Sequence, residues 1–361
     1  MPGTDETTDL FLSLTPDEVL AAVEAAGLRT NPVCYPLNSF ENRVYEVELA
    51  DRTRIIAKFY RPGRWTEEQI LEEHRFLTDL EQAEIPVCPV RPFPDGSTLR
   101  KQGTIWYTLA DRRGGRAPDE LTDAWALRLG RLVGRMHDVA LQRPADSRLT
   151  LDAETFVRIN TDWLEEHDTI PVAFRDRYIG LALDIADILD DLMDGVPLQR
   201  IHGDLHLGNL LVRDDLLHVL DFDDMTMGPA VQDVWLCLPG RGAYSDRLRD
   251  RFLDGYAQFR PFDHTTLRLI EPLRALRMVH YATWLARRWH DPVFPRTWPQ
   301  FTTQEWWRSE LDAVRGCLAH AQEAVAAVTA AAHAGDPDDE EGEEEAEPEL
   351  TNKDYFWDWE G

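Results

Sequence analysis

One segment constrains the fold more than any other: Ile201-His202-Gly203-Asp204-Leu205-His206-Leu207-Gly208-Asn209-Leu210-Leu211-Val212, continued by Arg213-Asp214-Asp215 and Leu216-Leu217-His218-Val219-Leu220-Asp221-Phe222-Asp223-Asp224. Leu210–Val212 and Leu217–Asp221 are apolar runs joined by a polar turn, which predicts a β-hairpin. In an antiparallel hairpin the start of the first strand lies beside the end of the second. Asn209 and Asp221 are therefore expected to be neighbours, although twelve residues separate them. An amide oxygen beside a carboxylate makes a hard-oxygen pair suited to Mg²⁺, which also accepts phosphate oxygens and water. Asp204 stands five residues before Asn209, in a loop that its two glycines let turn tightly. A carboxylate there can reach the same metal-bound phosphate and accept a proton from an attacking hydroxyl. A surface loop rich in capping Asp and Asn explains any one of these residues, but not Asp-x4-Asn followed by an apolar hairpin that ends in Asp. His202 and His206 read as packing and hydrogen-bonding residues of the loop.

Lys58 is the second element. It lies in Arg54-Ile55-Ile56-Ala57-Lys58-Phe59-Tyr60, on the strand face shared by Ile56 and Tyr60. A lysine in so apolar a strand is seldom buried without a partner. Nucleotide phosphate plus a helix carboxylate would serve, and Glu72 and Glu73 in Ile70-Leu71-Glu72-Glu73-His74 are the candidates. Glu73 is favoured, with Glu72 left open. The bland alternative is an edge-strand lysine in solvent. Before the first strand stands Leu37-Asn38-Ser39-Phe40-Glu41-Asn42-Arg43-Val44-Tyr45, where a phosphate-covering loop belongs. It has no glycine, yet backbone amides and the Ser39 hydroxyl can contact phosphate. Alone it reads as an ordinary polar turn.

Around these motifs the pattern is α+β. Thr15-Pro16-Asp17-Glu18 opens a helix through Ala26 with a capping box, and Gly27 closes it. Arg43–Leu49 and Arg54–Tyr60 read as strands, Thr66–Leu80 as a helix, and Thr98–Leu99 and Thr104–Leu109 as two more strands. Asp111–Pro118 is turn-rich and reads as a hinge. Helical periodicity then dominates at 122–138, 154–166, 174–192, 245–256, 266–289 and 303–332, broken by the β segment near 210–222. The expected architecture is bilobal: residues 1–112 form a β-rich, nucleotide-binding N-lobe, and residues 113–333 a mainly helical, catalytic C-lobe. Residues 334–361 form a disordered acidic tail.

That tail holds ten acids between Asp336 and Glu349 with no base among them, too polar to bury a core. Its last residues, Tyr355-Phe356-Trp357-Asp358-Trp359, are aromatic enough to suggest a docking peptide. The whole chain of 361 residues carries a formal charge of −28, which argues against nucleic acid and anionic membrane as partners. Cys34, Cys88, Cys237 and Cys317 form no C-x-x-C pair, arguing against a zinc site or disulfide framework. No signal peptide or apolar run of roughly 20 residues is evident, so a cytoplasmic monomer is expected.

His202-Gly203-Asp204-x4-Asn209 with Leu220-Asp221-Phe222 resembles the catalytic and metal segments of the aminoglycoside phosphotransferase and choline kinase group, relatives of eukaryotic protein kinases. Leu37–Tyr45, Lys58-Phe59-Tyr60-Arg61-Pro62-Gly63-Arg64-Trp65, Ile70–His74, Gly228-Pro229-Ala230-Val231-Gln232-Asp233-Val234-Trp235 and Ile270–Arg277 further resemble the bacterial stress response kinase A family, over roughly residues 12–320. The resemblance implies a protein-kinase-like fold and a serine/threonine protein kinase, using ATP and Mg²⁺, that acts in stress survival. It implies Asp204 as catalytic residue, Asn209 and Asp221 as Mg²⁺ ligands, Ser39 as an ATP-loop contact, and Asp233 as a buried brace of the catalytic loop. Three features depart from ordinary protein kinases. The glycine-rich loop is missing. His206 stands where they carry a lysine two after the base. Asp223 replaces the glycine of Asp-Phe-Gly, with no Ala-Pro-Glu segment after it. A small-molecule kinase of the same fold is the alternative, with the aromatic run Trp284, Trp289, Phe294, Trp298, Phe301, Trp306 and Trp307 as a candidate cation-binding wall. A non-catalytic scaffold would be expected to lack Asp204, Asp221 or Lys58, and all three are present.

Overall fold

The computed structural model describes Phe11, residues 14–118 and residues 120–333. The acidic tail and its aromatic end lie outside the described residues. Strands are β1 (Thr30–Leu37), β2 (Arg43–Leu49), β3 (Arg54–Phe59), β4 (Arg100–Gln102), β5 (Ile105–Asp111), β6 (Gln199–Ile201), β7 (Leu210–Arg213), β8 (Leu216–Val219) and β9 (Thr226–Gly228). The principal helices are α1 (Pro16–Ala25), α2 (Glu67–Gln82), α3 (Asp123–Ala140), α4 (Ile159–Glu166), α5 (Arg175–Met193), α6 (Val231–Cys237), α7 (Ala243–Tyr256), α8 (Ile270–Arg287) and α9 (Gln304–His333).

Packing divides the chain into two compact units, and neither is continuous in sequence. The first holds the described residues through Glu120 together with Asp138–Arg148 and Leu207–Met225. The second holds Leu121–His137, Leu149–His206 and the described residues from Thr226. A single boundary near residue 112 therefore does not describe the packing. The hairpin that carries Asn209 and Asp221 returns to the unit of the N-terminal sheet.

In the first unit the sheet order is β1-β2-β3-β5-β4, antiparallel throughout. Along β3 the side chains alternate. Ile55, Ala57 and Phe59 are buried in a cluster with Val19, Ala22 and Val23 of α1, while Lys58 takes the opposite face. Phe59 stacks on Tyr107 at 5.4 Å, and the Tyr107 hydroxyl donates to the Ala22 carbonyl at 3.0 Å. Helix α1 starts on the expected capping box. The Glu18 carboxylate accepts from the Thr15 N–H at 2.7 Å, and the Thr15 hydroxyl accepts from the Glu18 N–H at 3.3 Å. Strand β1 is absent from the sequence reading, because Pro32 and Pro36 speak against a strand. It forms because it is the outermost strand of this order, where a missing N–H costs no ladder bond.

Hairpin β7–β8 pairs Leu210 with Val219 and Arg213 with Leu216. Its two-residue turn, Asp214-Asp215, has φ of 50° and 61°, the left-handed pair that suits the twist of a hairpin. The hairpin is tied to its own unit by backbone. Val219 N–H donates to the Pro86 carbonyl at 2.9 Å, and Arg116 and Val212 exchange two bonds at 2.8 and 3.2 Å. The segment read as a hinge is thus anchored at Arg116. At Gly115 a Cβ would lie 3.0 Å from the Val212 carbonyl oxygen, so this approach requires glycine.

The second unit is helical apart from the small pair β6–β9. Helices α3 and α7 meet through glycines: a Cβ on Gly130 would lie 1.8 Å from the Phe252 oxygen, and one on Gly255 2.1 Å from the Leu127 oxygen. The aromatic run packs on itself. Trp284 meets Phe294 at 4.9 Å and Trp298 at 5.5 Å, and Phe301 meets Trp306 at 4.8 Å and Trp289 at 5.1 Å. Such edge-to-face and tilted pairs are what a helical core uses. No helix among the described residues is long and apolar enough to cross a membrane.

Candidate active site

In the first unit Lys58 is the centre of a charge cluster. Its ammonium lies 3.1 Å from Glu73, 3.3 Å from Asp221 and 3.1 Å from Asp223. The choice between Glu72 and Glu73 is made by helix phase. Consecutive residues on α2 are turned about 100° apart. Glu73 faces the sheet, whereas the Glu72 carboxylate pairs with Arg75 at 2.6 Å. Glu73 is held in turn by the Tyr60 hydroxyl at 3.3 Å. That hydroxyl also meets His74 Nε2 at 3.0 Å, and His74 Nδ1 meets the Thr98 hydroxyl at 2.8 Å. Burial pushes the His74 pKa down from 6.5 to about 3, and the Lys58 charge adds to the effect, so the ring is neutral in this chain of bonds. Burial opposes the charge on Lys58, but Asp223, Glu73 and Asp221 outweigh it and hold the ammonium protonated well above the usual lysine range.

Asp221 follows the last hairpin pair. Leu220 N–H donates to the Asn209 carbonyl at 2.9 Å, so Asn209 is opposite Leu220, one residue before Asp221. The backbone at Asp221 is left-handed, with φ of 54°, a conformation that costs an L residue about 1–2 kcal/mol. It leaves the Asp221 side chain half exposed while Phe222 is buried, edge-on to Phe76 at 5.6 Å. Asp223 goes inward and is 3% exposed. Arg64 pairs with both Asp223 and Asp224. Arg148 donates to the backbone carbonyls of Asp223 and Met225, the latter at 2.7 Å. Burial pushes the Asp223 carboxyl up, but Lys58, Arg64 and Arg148 together hold it well below the ordinary carboxylate range.

Among the described residues no three His, Cys, Asp or Glu cluster as a metal cage. The residues present fit a cation of another kind. Mg²⁺ is usually held by one or two protein oxygens, with phosphates and water completing the shell. The half-exposed Asp221 carboxylate and the Asn209 amide, one pairing position apart, are the groups that would supply those two. The loop between β1 and β2 is ordered without glycine. The Ser39 hydroxyl accepts from the Asn42 N–H at 3.3 Å, and the Asn42 amide oxygen accepts from the Arg61 N–H at 3.2 Å. Arg61 Nε donates to the Glu41 carbonyl at 3.0 Å.

Asp204 belongs to the second unit, with its own framework. It is largely buried, and Arg277 Nη2 lies 2.7 Å from its Oδ1. His206 Nε2 is 3.5 Å from its Oδ2. Its N–H donates to His202 Nδ1 at 3.2 Å. Burial pushes this carboxyl up, but the Arg277 guanidinium, with His206 and His202, outweighs it and holds it well below the ordinary range. The loop is braced from beneath. His202 and Gly203 donate their N–H groups to the Asp233 carboxylate at 2.8 and 2.9 Å. His137 Nε2 meets Asp233 at 3.0 Å, and its Nδ1 meets the Tyr256 hydroxyl at 3.0 Å.

Lys58, Glu73 and Asp221 are thus brought together, with Asn209 one pairing position away. Sequence reasoning missed Asp223, Arg64, Arg148, Arg277 and His137. The doublets Asp223-Asp224 and Arg61/Arg64 flanking apolar segments are the traces they leave in sequence, but nothing local says which charge meets which.

The phosphotransferase enzyme family matches residues 34–276. Stress response kinase A of Escherichia coli (strain K12) is 37% identical over 300 residues, 82% of this chain and 90% of that protein. The Salmonella typhimurium (strain LT2) protein named serine/threonine protein kinase RdoA is 35% identical over 304 residues, 83% of this chain and 91% of its own. Among solved structures, amicoumacin kinase hAmiN in complex with AMP-PNP, Ca²⁺ and Ami superposes with a TM-score of 0.62 at 21% identity, covering 82% of this chain and 93% of that one. The microcompartment-associated aminopropanol kinase gives 0.63 at 20%, covering 85% and 97%. These two likenesses concern the fold. With its kinase-like fold and these matches, the chain belongs to the phosphotransferase enzyme family and, within it, to the stress response kinase A group.

Proposed function

We propose that this kinase uses ATP and Mg²⁺ to phosphorylate serine or threonine hydroxyls of proteins. The observation that carries the nucleotide half is the single ammonium of Lys58, anchored by Glu73 and shared with the hairpin carboxylate Asp221. Lys58 donates to nucleotide phosphate oxygens, and Glu73 keeps it from swinging away. Asn209 and Asp221 hold the cation, which when bound supplies positive charge against the phosphates. The Ser39 hydroxyl and its loop amides donate to phosphate. Asp204, kept ionised by Arg277, accepts the hydrogen bond of the acceptor hydroxyl and orients its lone pair. The protein acceptor is supported by the name of the Salmonella typhimurium relative and by the extent of that similarity. A role in stress survival is supported in the same way by the Escherichia coli relative.

The test is incubation with ATP radiolabelled at the γ-phosphate and Mg²⁺, with casein as acceptor and Asp204→Ala as control. Label on Ser or Thr that disappears in the variant is the expected result. Asp204-dependent turnover on a metabolite extract with no label on protein would move the acceptor to a small-molecule alcohol. Near-normal turnover by Asp204→Ala would overturn the assignment of the catalytic residue.

A further inference from the structure

Asp204 is a buried carboxylate, and a buried carboxylate needs a cation or it protonates or turns away. Position 206, two after it, supplies an imidazole at 3.5 Å. The nearer charge comes from α8, remote in sequence: Arg277 Nη2 at 2.7 Å from Oδ1. The neighbours of Arg277 on that helix are committed elsewhere. Arg274 lies 3.5 Å from Glu271 and stacks over Trp235 at 5.0 Å. His280 meets Asn160 at 3.3 Å and packs against Phe156 at 5.0 Å. A guanidinium is permanently charged, so this ion pair holds the carboxylate ionised and favours the rotation that keeps Oδ1 against Arg277. The backbone under Asp204 is fixed separately by Asp233, which leaves the side-chain torsion as the freedom that Arg277 on Oδ1 and His206 on Oδ2 restrict.

We infer that Arg277 is a positioning residue for phosphoryl transfer: by engaging Oδ1 it sets the orientation in which the Asp204 carboxylate meets the acceptor hydroxyl. The inference rests on the reading of Asp204 as the group that accepts that hydroxyl. It assigns to a helix outside the catalytic loop the fixed positive charge that position 206 of this chain does not provide. Arg277 then acts only through Asp204.

The experiment is a double-mutant cycle on the full chain with Asp204→Ala, Arg277→Ala and the double variant, and with Arg277→Lys beside them. ADP release from ATP and Mg²⁺ is followed with casein as acceptor. Arg277→Ala is expected to lower kcat about 100-fold, as loss of one oriented charged donor does elsewhere. KM for ATP should change less than about threefold, since Arg277 makes no nucleotide contact in this account. Arg277→Lys should recover about tenfold of that loss, because it restores the charge but not the planar geometry. In the Asp204→Ala background the same Arg277→Ala change should cost less than about twofold. An equal loss in both backgrounds, or turnover by Arg277→Ala within threefold of wild type while Asp204→Ala is inactive, would overturn the inference and leave Asp204 standing. Turnover by Asp204→Ala equal to wild type would remove the earlier reading, and this one with it. Should Arg277→Ala fail to fold, Arg277→Lys decides, since wild-type kcat in that variant also refutes a geometric role.

Discussion

Three carboxylates surround Lys58, and the structure predicts that removing one is a kinetic lesion and removing another a folding lesion. At 3.1 Å and an effective dielectric near 20, each pair is worth about 5 kcal/mol of gross attraction, most of it offset by desolvation. Glu73→Gln removes one charge, but Lys58 keeps Asp221 and Asp223, and the glutamine oxygen can still accept from Tyr60. What is lost is one charge-assisted bond, about 1.5–3 kcal/mol. We predict a fall of roughly 10- to 150-fold in kcat/KM for ATP, with a smaller loss of urea stability than the next variant shows. Asp223→Asn instead takes the shared partner from two buried cations, Lys58 and Arg64. Breaking a buried pair in this way costs about 3–5 kcal/mol, so this variant should unfold at clearly lower urea. The assay is urea unfolding followed by tryptophan fluorescence, beside initial-rate kinetics at varied ATP. A Glu73→Gln enzyme within twofold of wild type, or an Asp223→Asn protein as stable as wild type, would show that the ammonium's partners have been ranked wrongly.

Three further outcomes follow from local geometry. Gly130→Ala puts a methyl 1.8 Å from the Phe252 oxygen, so α3 and α7 must separate; we predict a loss of about 3 kcal/mol in urea unfolding. Replacing Asp214-Asp215 by Asn-Gly suits the left-handed hairpin turn and should gain roughly 0.5–1 kcal/mol in the same experiment, with unchanged kcat. His74 has a folded pKa of about 3 against an ordinary 6.5, so the unfolded chain binds its proton first. Its contribution to stability is complete above about pH 6.5 and is lost as pH falls toward 3, with a slope of up to about 1.4 kcal/mol per pH unit. His74→Gln should therefore flatten the decline in stability between pH 6.5 and 5, and a parallel decline in both proteins would refute this.

Much of the candidate site was legible because its signals are local. The hairpin announces itself by two apolar runs and a polar turn, and the expected neighbourhood of Asn209 and Asp221 is met to within one pairing position. Helix α1 was legible from Thr15 and Glu18, and Lys58 from its place in an apolar strand. Strand β1 was not, since its prolines are acceptable only at the sheet edge, and a sheet edge is a property of the assembled sheet.

The sequence by itself determined the periodicities, the caps, the turn and the chemical types at Asp204, Asn209, Asp221 and Lys58. These depend on neighbours a few residues away, where chain geometry leaves few options. Tertiary structure alone decided that Glu73 and not Glu72 meets Lys58, that the hairpin packs with the N-terminal sheet, that Arg64 and Arg277 meet the carboxylates of Asp223 and Asp204, and that Arg148 meets the backbone carbonyls of Asp223 and Met225. A charge carries no periodic record of its partner. Its pairing is set by which surfaces are buried together, and that is fixed only when the whole chain has packed.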